Sequence, residues 1–344
     1  TSFYGNLTAL AESPKKEGLL YAGTDDGLIQ VTESGGGSWR QIDTFPGVPE
    51  HSYVTDVYAS PRDSNVIFVT LNNYLRGDFK PYIVRSNDRG RTWTQIAGDL
   101  PQRSGVWSIV QDDIDGNLLF AGLEFGVWFT VDGGARWVQL DGGIPTAQAR
   151  DLVMQRREND LVVGTFGRGA YILDDYSALR DVTPEALAEE GHLFPLRDAY
   201  MYDVLGQVEA TWGDPTTPNP PYGALFTYSA GQAPAGESKL VLTIADDTGK
   251  QVRRLELARE PGVHRVAWDL RGEVPPAAPG GAAAAGRGGR GGETLEAAQF
   301  FGRGRQGGPP SAPGRYRATL GKLTGDTVTP IGQPQTFLIV PLSK

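Results

Sequence analysis

The sequence contains no cysteine, two methionines and three histidines. The first absence excludes disulfides and thiolate metal sites, so stability must come from packed side chains and hydrogen bonds. His51, His192 and His264 are scattered through the chain. They offer no zinc-ligand spacing, and neither a metal nor a cofactor is expected. No apolar run reaches the ~18 residues of a membrane span, and no signal-peptide pattern is visible. Basic residues are also few, with 32 Lys and Arg against 41 Asp and Glu and a net charge of −9. A nucleic-acid partner is therefore not expected, because phosphate backbones are held by a basic face.

What is abundant is turn chemistry. The 344 residues include 46 glycines and 24 prolines. That supply suits many short strands joined by tight turns, and the length is enough for two domains with separate cores. The expected class is all-β.

One unit recurs four times. Leu19-Leu20-Tyr21-Ala22-Gly23-Thr24 returns as Val66-Ile67-Phe68-Val69-Thr70, as Leu118-Leu119-Phe120-Ala121-Gly122 and as Leu161-Val162-Val163-Gly164-Thr165. Tyr21, Phe68, Phe120 and Val162 mark one position at spacings of 47, 52 and 42 residues, lengths that suit four-stranded propeller blades. Each repeat parses into an inner strand, the repeat just quoted, a third strand, and a fourth that opens on Trp39, Trp93 or Trp137. The fourth repeat has no such final strand. Four blades without a closing strand leave open edges, which propellers normally remove. The pattern predicts part of a larger ring, with further blades upstream or on another chain; an upstream region would also carry any export signal.

Between third and fourth strands lies Ser86-Asn87-Asp88-Arg89-Gly90-Arg91-Thr92-Trp93, a full match to the Asp-box pattern Ser/Thr-x-Asp-x-Gly-x-Thr-Trp. Thr130 to Trp137 matches with Asp132 and Gly134 in place and Arg136 where Thr belongs, and Thr32 to Trp39 is degenerate, with Ser34 at the Asp position. Such a carboxylate can accept N–H groups of its own turn, and the glycine supplies a positive φ. Ser86, Asp88, Gly90, Trp93, Asp132, Gly134, Trp137 and Trp39 are accordingly read as structural, with the tryptophans packing between sheets.

Gly5-Asn6-Leu7, Glu12-Ser13-Pro14, Gly23-Thr24-Asp25-Asp26-Gly27 and Gly164-Thr165-Phe166-Gly167-Arg168-Gly169, together with the boxes, resemble the BNR/Asp-box, sortilin-like propellers often labelled glycosyl-hydrolase-like. The resemblance implies an exported bacterial protein, extracytoplasmic in location, with more blades than are visible here. Xyloglucanase-type enzymes share such blades, but their catalytic acids do not map onto this chain.

Residues 1–176 are thus read as propeller blades and 177–192 as a connector with helical character. Residues 193–344 are read as a β-sandwich of immunoglobulin or fibronectin type. Its strands are expected at Gly223–Tyr228, Leu240–Ile244, Val252–Leu257, Val263–Leu270, Gly314–Leu320 and Gln335–Val340. The Trp-bearing strand followed by Pro-Gly-x-Tyr resembles sandwich modules of flagellar hook-capping and secretion-associated proteins, which bind, space or dock. A Gly/Ala/Arg-rich insertion at about 274–313 contains Gly286 to Gly292 and Phe300-Phe301. It is read as a flexible loop rather than an RNA-binding segment.

Ligands of propellers sit on the face built from the loops between second and third strands and those entering each inner strand. The candidates there are Asp25, Asp26, Tyr74, Arg76, Arg103, Glu124, Phe125 and Arg168, with His51 and Gln148 beside them. Carboxylates, arginines and aromatic rings together suit a sugar or peptide chain. A pair such as Asp25 and Glu124 would suit glycosidic acid/base chemistry at a separation of about 5–9 Å. The plainer reading is a solvated polar rim. No complete catalytic set can be assembled, so no catalytic residue is assigned. The expected function is a non-catalytic binding or assembly module for a polysaccharide or protein partner. The alternative is a fragment of a glycoside hydrolase.

Overall fold

Each apolar repeat becomes the second strand of an antiparallel sheet. The first sheet joins β1 (Leu7–Glu12), β2 (Leu20–Thr24), β3 (Ile29–Thr32) and β4 (Arg40–Ile42) in sequence order. The second joins β5 (Tyr53–Ala59), β6 (Ile67–Asn73), β7 (Asp78–Ser86) and β8 (Thr94–Gln95). The third joins β9 (Val106–Gln111), β10 (Leu119–Leu123), β11 (Gly126–Thr130) and β12 (Val138–Gln139). The fourth holds β13 (Ala149–Gln155), β14 (Asp160–Thr165) and β15 (Ala170–Leu173), with no fourth strand among the described residues. These are the blades of a β-propeller, and the chain is all-β. The computed structural model describes residues 5–141, 143–202, 221–231, 238–273 and 308–342. Thr1–Arg180 and Asp181–Lys344 form separate compact units.

Alternation along each strand gives every blade two faces. Phe68 and Ile83 of blade 2 meet Leu119 and Ala121 of blade 3 in one core. Tyr21, Ile29 and Val31 of blade 1 meet Ile67, Val69 and Val84 of blade 2 in another. Register identifies the matching positions at the two ends of the series. Leu10 pairs with Ala22 as Ile109 pairs with Ala121, yet Leu10 is 62% exposed and Ile109 0%. At the other end Ile172 pairs with Val162 as Val31 pairs with Tyr21, yet Ile172 is 57% exposed and Val31 2%. Positions that form cores between blades are apolar on the outer faces of the first and last blades too, where they stand in solvent.

After β15 the chain does not turn back through an Asp-box. Asp175 N–H donates to Asp160 Oδ1 at 2.9 Å and Tyr176 N–H to the Asn159 carbonyl at 2.8 Å. A 3-10 turn over Tyr176–Asp181 then reaches Asp112 at the end of β9. Arg180 Nε donates to Asp112 Oδ2 at 2.9 Å and Nη2 to Oδ1 at 2.8 Å, with a further Nη2 bond to Asn159 Oδ1 at 2.7 Å. Tyr176 Oη donates to Asp112 Oδ1 at 2.9 Å, and its ring meets Phe120 edge-on at 5.2 Å. Burial would raise the Asp112 carboxyl, but Arg180, the Asp115 N–H and Tyr176 outweigh it and hold the group below its usual range.

The second unit begins with α1 (Pro184–Ala188), capped by Thr183 Oγ1, which accepts the Ala186 N–H at 3.2 Å. A three-stranded sheet follows the order β16 (Gly191–Leu193), β18 (Ala224–Ala230), β21 (Gly262–Trp268). A five-stranded sheet runs β17 (Ala199–Met201), β23 (Thr327–Pro341), β22 (Gly314–Thr324), β19 (Lys239–Asp246), β20 (Gln251–Glu256). Phe226, Tyr228 and Trp268 of the smaller sheet share a core with Leu242, Ile244, Leu320 and Phe337 of the larger, so the unit is a two-sheet sandwich. β16 starts inside the stretch read as connector, and β17 joins β23 in parallel. Neither short strand was expected, because three residues carry no readable alternation. Gly286 to Gly292, Phe300 and Phe301 lie outside the described residues.

Candidate binding cleft

The Asp-box turns and the ligand-facing loops lie at opposite ends of the third strand of each blade, so they separate cleanly. In the full box, Asp88 Oδ1 accepts the N–H groups of Arg91 at 2.9 Å and Thr92 at 2.8 Å, and Oδ2 accepts the Thr92 hydroxyl at 2.6 Å. Ser86 Oγ donates to Asp88 and accepts the Gly90 N–H at 2.7 Å. The Thr92 hydroxyl and N–H foremost hold the Asp88 carboxyl well below the ordinary range. Asp132 repeats the pattern on the N–H groups of Ala135 and Arg136 and the Thr130 hydroxyl. In the degenerate box Ser34 Oγ accepts the Ser38 N–H at 3.1 Å, one backbone N–H where Asp88 and Asp132 each accept two. Each box is braced to the adjoining first turn of its blade, as in the Gly133 N–H to Asn117 carbonyl bond at 3.0 Å. Asp88 and Asp132 thus serve their own turns.

At the other end, loops of blades 2, 3 and 4 enclose a cleft of about 360 Å³. Blade 2 contributes the end of β6 and a 3-10 turn, Tyr74–Arg76, closed by Gly77 at φ 76. That left-handed residue lets the chain reverse at once into β7, which leaves Tyr74 and Phe79 half-exposed at the rim. Blade 3 contributes Trp107 at the start of β9 and Glu124-Phe125 from the loop between β10 and β11. That loop is fixed by backbone bonds, Glu124 N–H to the Gly105 carbonyl and Gly126 N–H to the Ala147 carbonyl, each at 3.0 Å. Gln148 and Arg150 come from the entry to β13.

Inside the cleft the polar groups form a chain. Trp107 Nε1 donates to Glu124 Oε2 at 3.0 Å, and the Gln148 amide donates to Glu124 Oε1. The amide oxygen of Gln148 accepts from Arg150 Nε at 2.7 Å. The Arg150 guanidinium lies 3.5 Å from the centre of the Trp107 ring and 5.2 Å from that of Phe166, a cation stacked on aromatic faces. Tyr74 packs on the Trp107 ring from 5.8 Å. Asp78 Oδ2 accepts the Tyr82 hydroxyl at 2.6 Å. Burial would raise Asp78, but Tyr82, the Lys80 N–H and the Asn73 side chain outweigh it, and its pKa falls below the usual value. Asn72 lines the cleft at 2% exposure with both amide atoms unbonded. A buried amide without partners is costly in an empty protein and is answered by a ligand or ordered water.

Of the eight candidates, the structure brings Tyr74, Arg103, Glu124 and Phe125 into this cleft. The other four lie apart from its lining. Asp25 accepts the N–H groups of Gly5 at 2.7 Å and Asn6 at 3.0 Å and the Asn6 amide at 2.8 Å, which pins the entry to blade 1. Asp26 accepts the Thr24 hydroxyl at 2.5 Å, Arg76 Nη1 donates to the Glu50 carbonyl at 2.9 Å, and Arg168 is exposed on the last blade. The pair Asp25 and Glu124 is therefore not assembled, and Asp78 is the carboxylate that shares the cleft with Glu124. Trp107 and Arg150 were missed because both sit in inner strands, which read as core. Asn72 lies at the end of β6, which runs on into a stretch that the sequence reads as a loop, and the greater length of that loop was the only signal.

No protein-family model matches the chain. It is similar to the xyloglucanase of Hypocrea jecorina, 27% identical over 152 residues that cover 40% of this chain and 18% of that enzyme. It is also similar to the xyloglucanase Xgh74A of Acetivibrio thermocellus, 25% identical over 150 residues, with the same shares of 40% and 18%. The matched stretch is thus under a fifth of either relative's length. Among solved structures, a GH74 xyloglucanase from Xanthomonas campestris superposes with a TM-score of 0.38 at 18% identity, covering 65% of this chain and 34% of that one.

Proposed function

We propose that this chain is a saccharide-binding propeller module related to glycoside hydrolases, and that it binds through the cleft of blades 2 to 4. The observation that carries the reading is the lining: three half-exposed aromatic side chains, Tyr74, Phe79 and Phe125, around the unbonded amide of Asn72. Sugar rings present apolar faces to aromatic rings and hydroxyl pairs to amides, so the two features answer one ligand class. Similarity to xyloglucanases supports that class. Such a ligand lies outside the cell, which supports an exported protein. The exposed apolar faces of Leu10 and Ile172 support further blades beside them, from the same chain or another, as the completion of the ring.

The reading is tested by affinity electrophoresis of the 344-residue chain in gels containing neutral polymers such as xyloglucan and other soluble β-glucans, or acidic ones such as polygalacturonate and alginate. Retardation by at least one polymer is expected. Tyr74→Ala and Phe125→Ala, both on half-exposed side chains, should each weaken retention about fivefold or more while leaving the melting temperature unchanged. Unretarded migration in every polymer would sink the proposal.

The second reading is a glycoside hydrolase, favoured by the presence of both Asp78 and Glu124 in the cleft. A general acid must hold a proton near neutral pH. The lowered pKa of Asp78 runs against that role, while Glu124 already accepts from two neutral donors. Reducing ends released from a bound polymer, and lost in Glu124→Gln, would favour the hydrolase; retention without release favours the binding module.

A further inference from the structure

The ionic groups of blades 1 to 3 are distributed unevenly between the two ends of the sheets. At the Asp-box end arginines pair with carboxylates: Arg89 and Arg91 with Glu33 at 2.6 and 2.8 Å, and Arg180 with Asp112 at 2.8 Å. In the cleft the arrangement is inverted. The carboxylates of Glu124 and Asp78 are satisfied by neutral donors, an indole, an amide and a phenol. The two guanidinium groups of the lining, Arg103 and Arg150, have no carboxylate within salt-bridge distance among the described residues.

Arg150 is also held in place rather than left to swing. Its guanidinium carbon lies over the Trp107 ring at 3.5 Å and over the Phe166 ring at 5.2 Å, and its Nε is fixed by Gln148, whose amide is fixed in turn by Glu124. With Nε spent, the Nη edge remains, the edge that meets a carboxylate with two parallel N–H bonds. Trp107 is only 8% exposed with Arg150 over its ring, so this end of the cleft presents a cation where a purely neutral glycan would want a bare ring. Arg103 adds a second positive charge on the same lining. In a chain of net charge −9, two such cations on one lining are a local departure from the overall field.

We propose that the cleft takes an acidic saccharide, one whose ring carries a carboxylate, with Arg150 and Arg103 on the carboxylate and Asn72 on a neighbouring hydroxyl. This rests on the saccharide reading of the same cleft and narrows it to uronate-bearing chains. Glu124 and Gln148 are positioning residues for Arg150, since each acts through the next group along.

The test is isothermal titration of the 344-residue chain with oligosaccharides built on galacturonate, glucuronate and mannuronate, with the methyl ester of each, and with neutral xyloglucan and cello-oligosaccharides. At least one free acid should bind at least about tenfold more tightly than its ester, the difference that charge-assisted hydrogen bonds supply. The preference should shrink as salt is raised. Arg103→Met removes a side chain with no hydrogen bond or ion pair among the described residues and should lower affinity for the acid without changing that for the ester. Arg150→Lys keeps the charge, loses the paired N–H geometry, and should weaken the acid by a similar factor; equal melting temperatures establish that both variants fold. Acid and ester bound equally, or neutral glycans alone bound, overturns the acidic assignment and leaves the saccharide reading standing. No binding by any sugar of the panel overturns both.

Discussion

Replacing Arg180 with methionine should cost the propeller unit about 3–5 kcal/mol at pH 7, the usual penalty when one partner of a buried ion pair is removed and the other stays buried. Asp112 is fully buried and Arg180 nearly so, and the pair ties the 3-10 turn to both blade 3 and blade 4 through Asp112 and Asn159. The pH dependence follows from the direction of the shift. Asp112 sits below its usual pKa in the folded chain. Its contribution is therefore present above the unfolded value, about 4, and is lost as pH falls through the folded value. In Arg180→Met the buried carboxyl has lost its cation and its pKa rises. The gap between parent and variant should be widest at neutral pH and narrow in acid. Adding Asp112→Asn to Arg180→Met should recover part of the loss, since an amide tolerates burial better than an unpaired charge. Urea melts at pH 7 and pH 4, followed by tryptophan fluorescence, read both effects. A variant within about 1 kcal/mol of the parent at pH 7 would show that the latch is ornamental.

That latch also marks the limit of what the residues disclosed before the fold was seen. Periodicity placed β2, β6, β10 and β14 because each is a short apolar run at a fixed interval. The boxes placed the turns because their chemistry is local: Ser86, Asp88, Gly90 and Thr92 contact one another within a few positions. Asp112 and Arg180 lie 68 positions apart, and nothing near either residue announces the other. The cleft divides along the same line. Tyr74, Glu124 and Phe125 were legible because they occupy loops at one repeating position, whereas Trp107 and Arg150 sit in inner strands that read as core. Asp25 occupies the right loop but serves the backbone of Gly5 and Asn6. Loop membership selects a face; which residues on it remain free depends on bonds that alternation does not encode.

Trp137→Ala should destabilise the propeller unit by about 3–5 kcal/mol, Trp93→Ala by less, and Trp39→Ala by under about 1 kcal/mol. All three tryptophans hold the same place after their box, so the ranking isolates what lies in front of each blade. Trp137 is buried among Ile96, Ala97 and Leu100 of the preceding blade, and its indole donates to the Ile96 carbonyl at 3.0 Å. Backbones meet closely beside it: a Cβ on Gly134 would fall 2.5 Å from the Ile96 carbonyl oxygen, and one on Gly98 would fall 2.5 Å from that of Gly134. Trp93 meets Phe45 edge-on at 5.2 Å beside Ile42 and Val48 of blade 1, and stays partly exposed. Trp39 meets no preceding blade among the described residues and is 48% exposed. Urea melts of the three alanine variants give the order directly. Should Trp39→Ala cost as much as Trp137→Ala, the outer face of blade 1 is already covered in solution by a second copy, and sedimentation would show the dimer. If instead the cost is small here and rises to that of Trp137→Ala when a longer chain supplies a preceding blade, then Trp39 and Leu10 belong to an interface between blades.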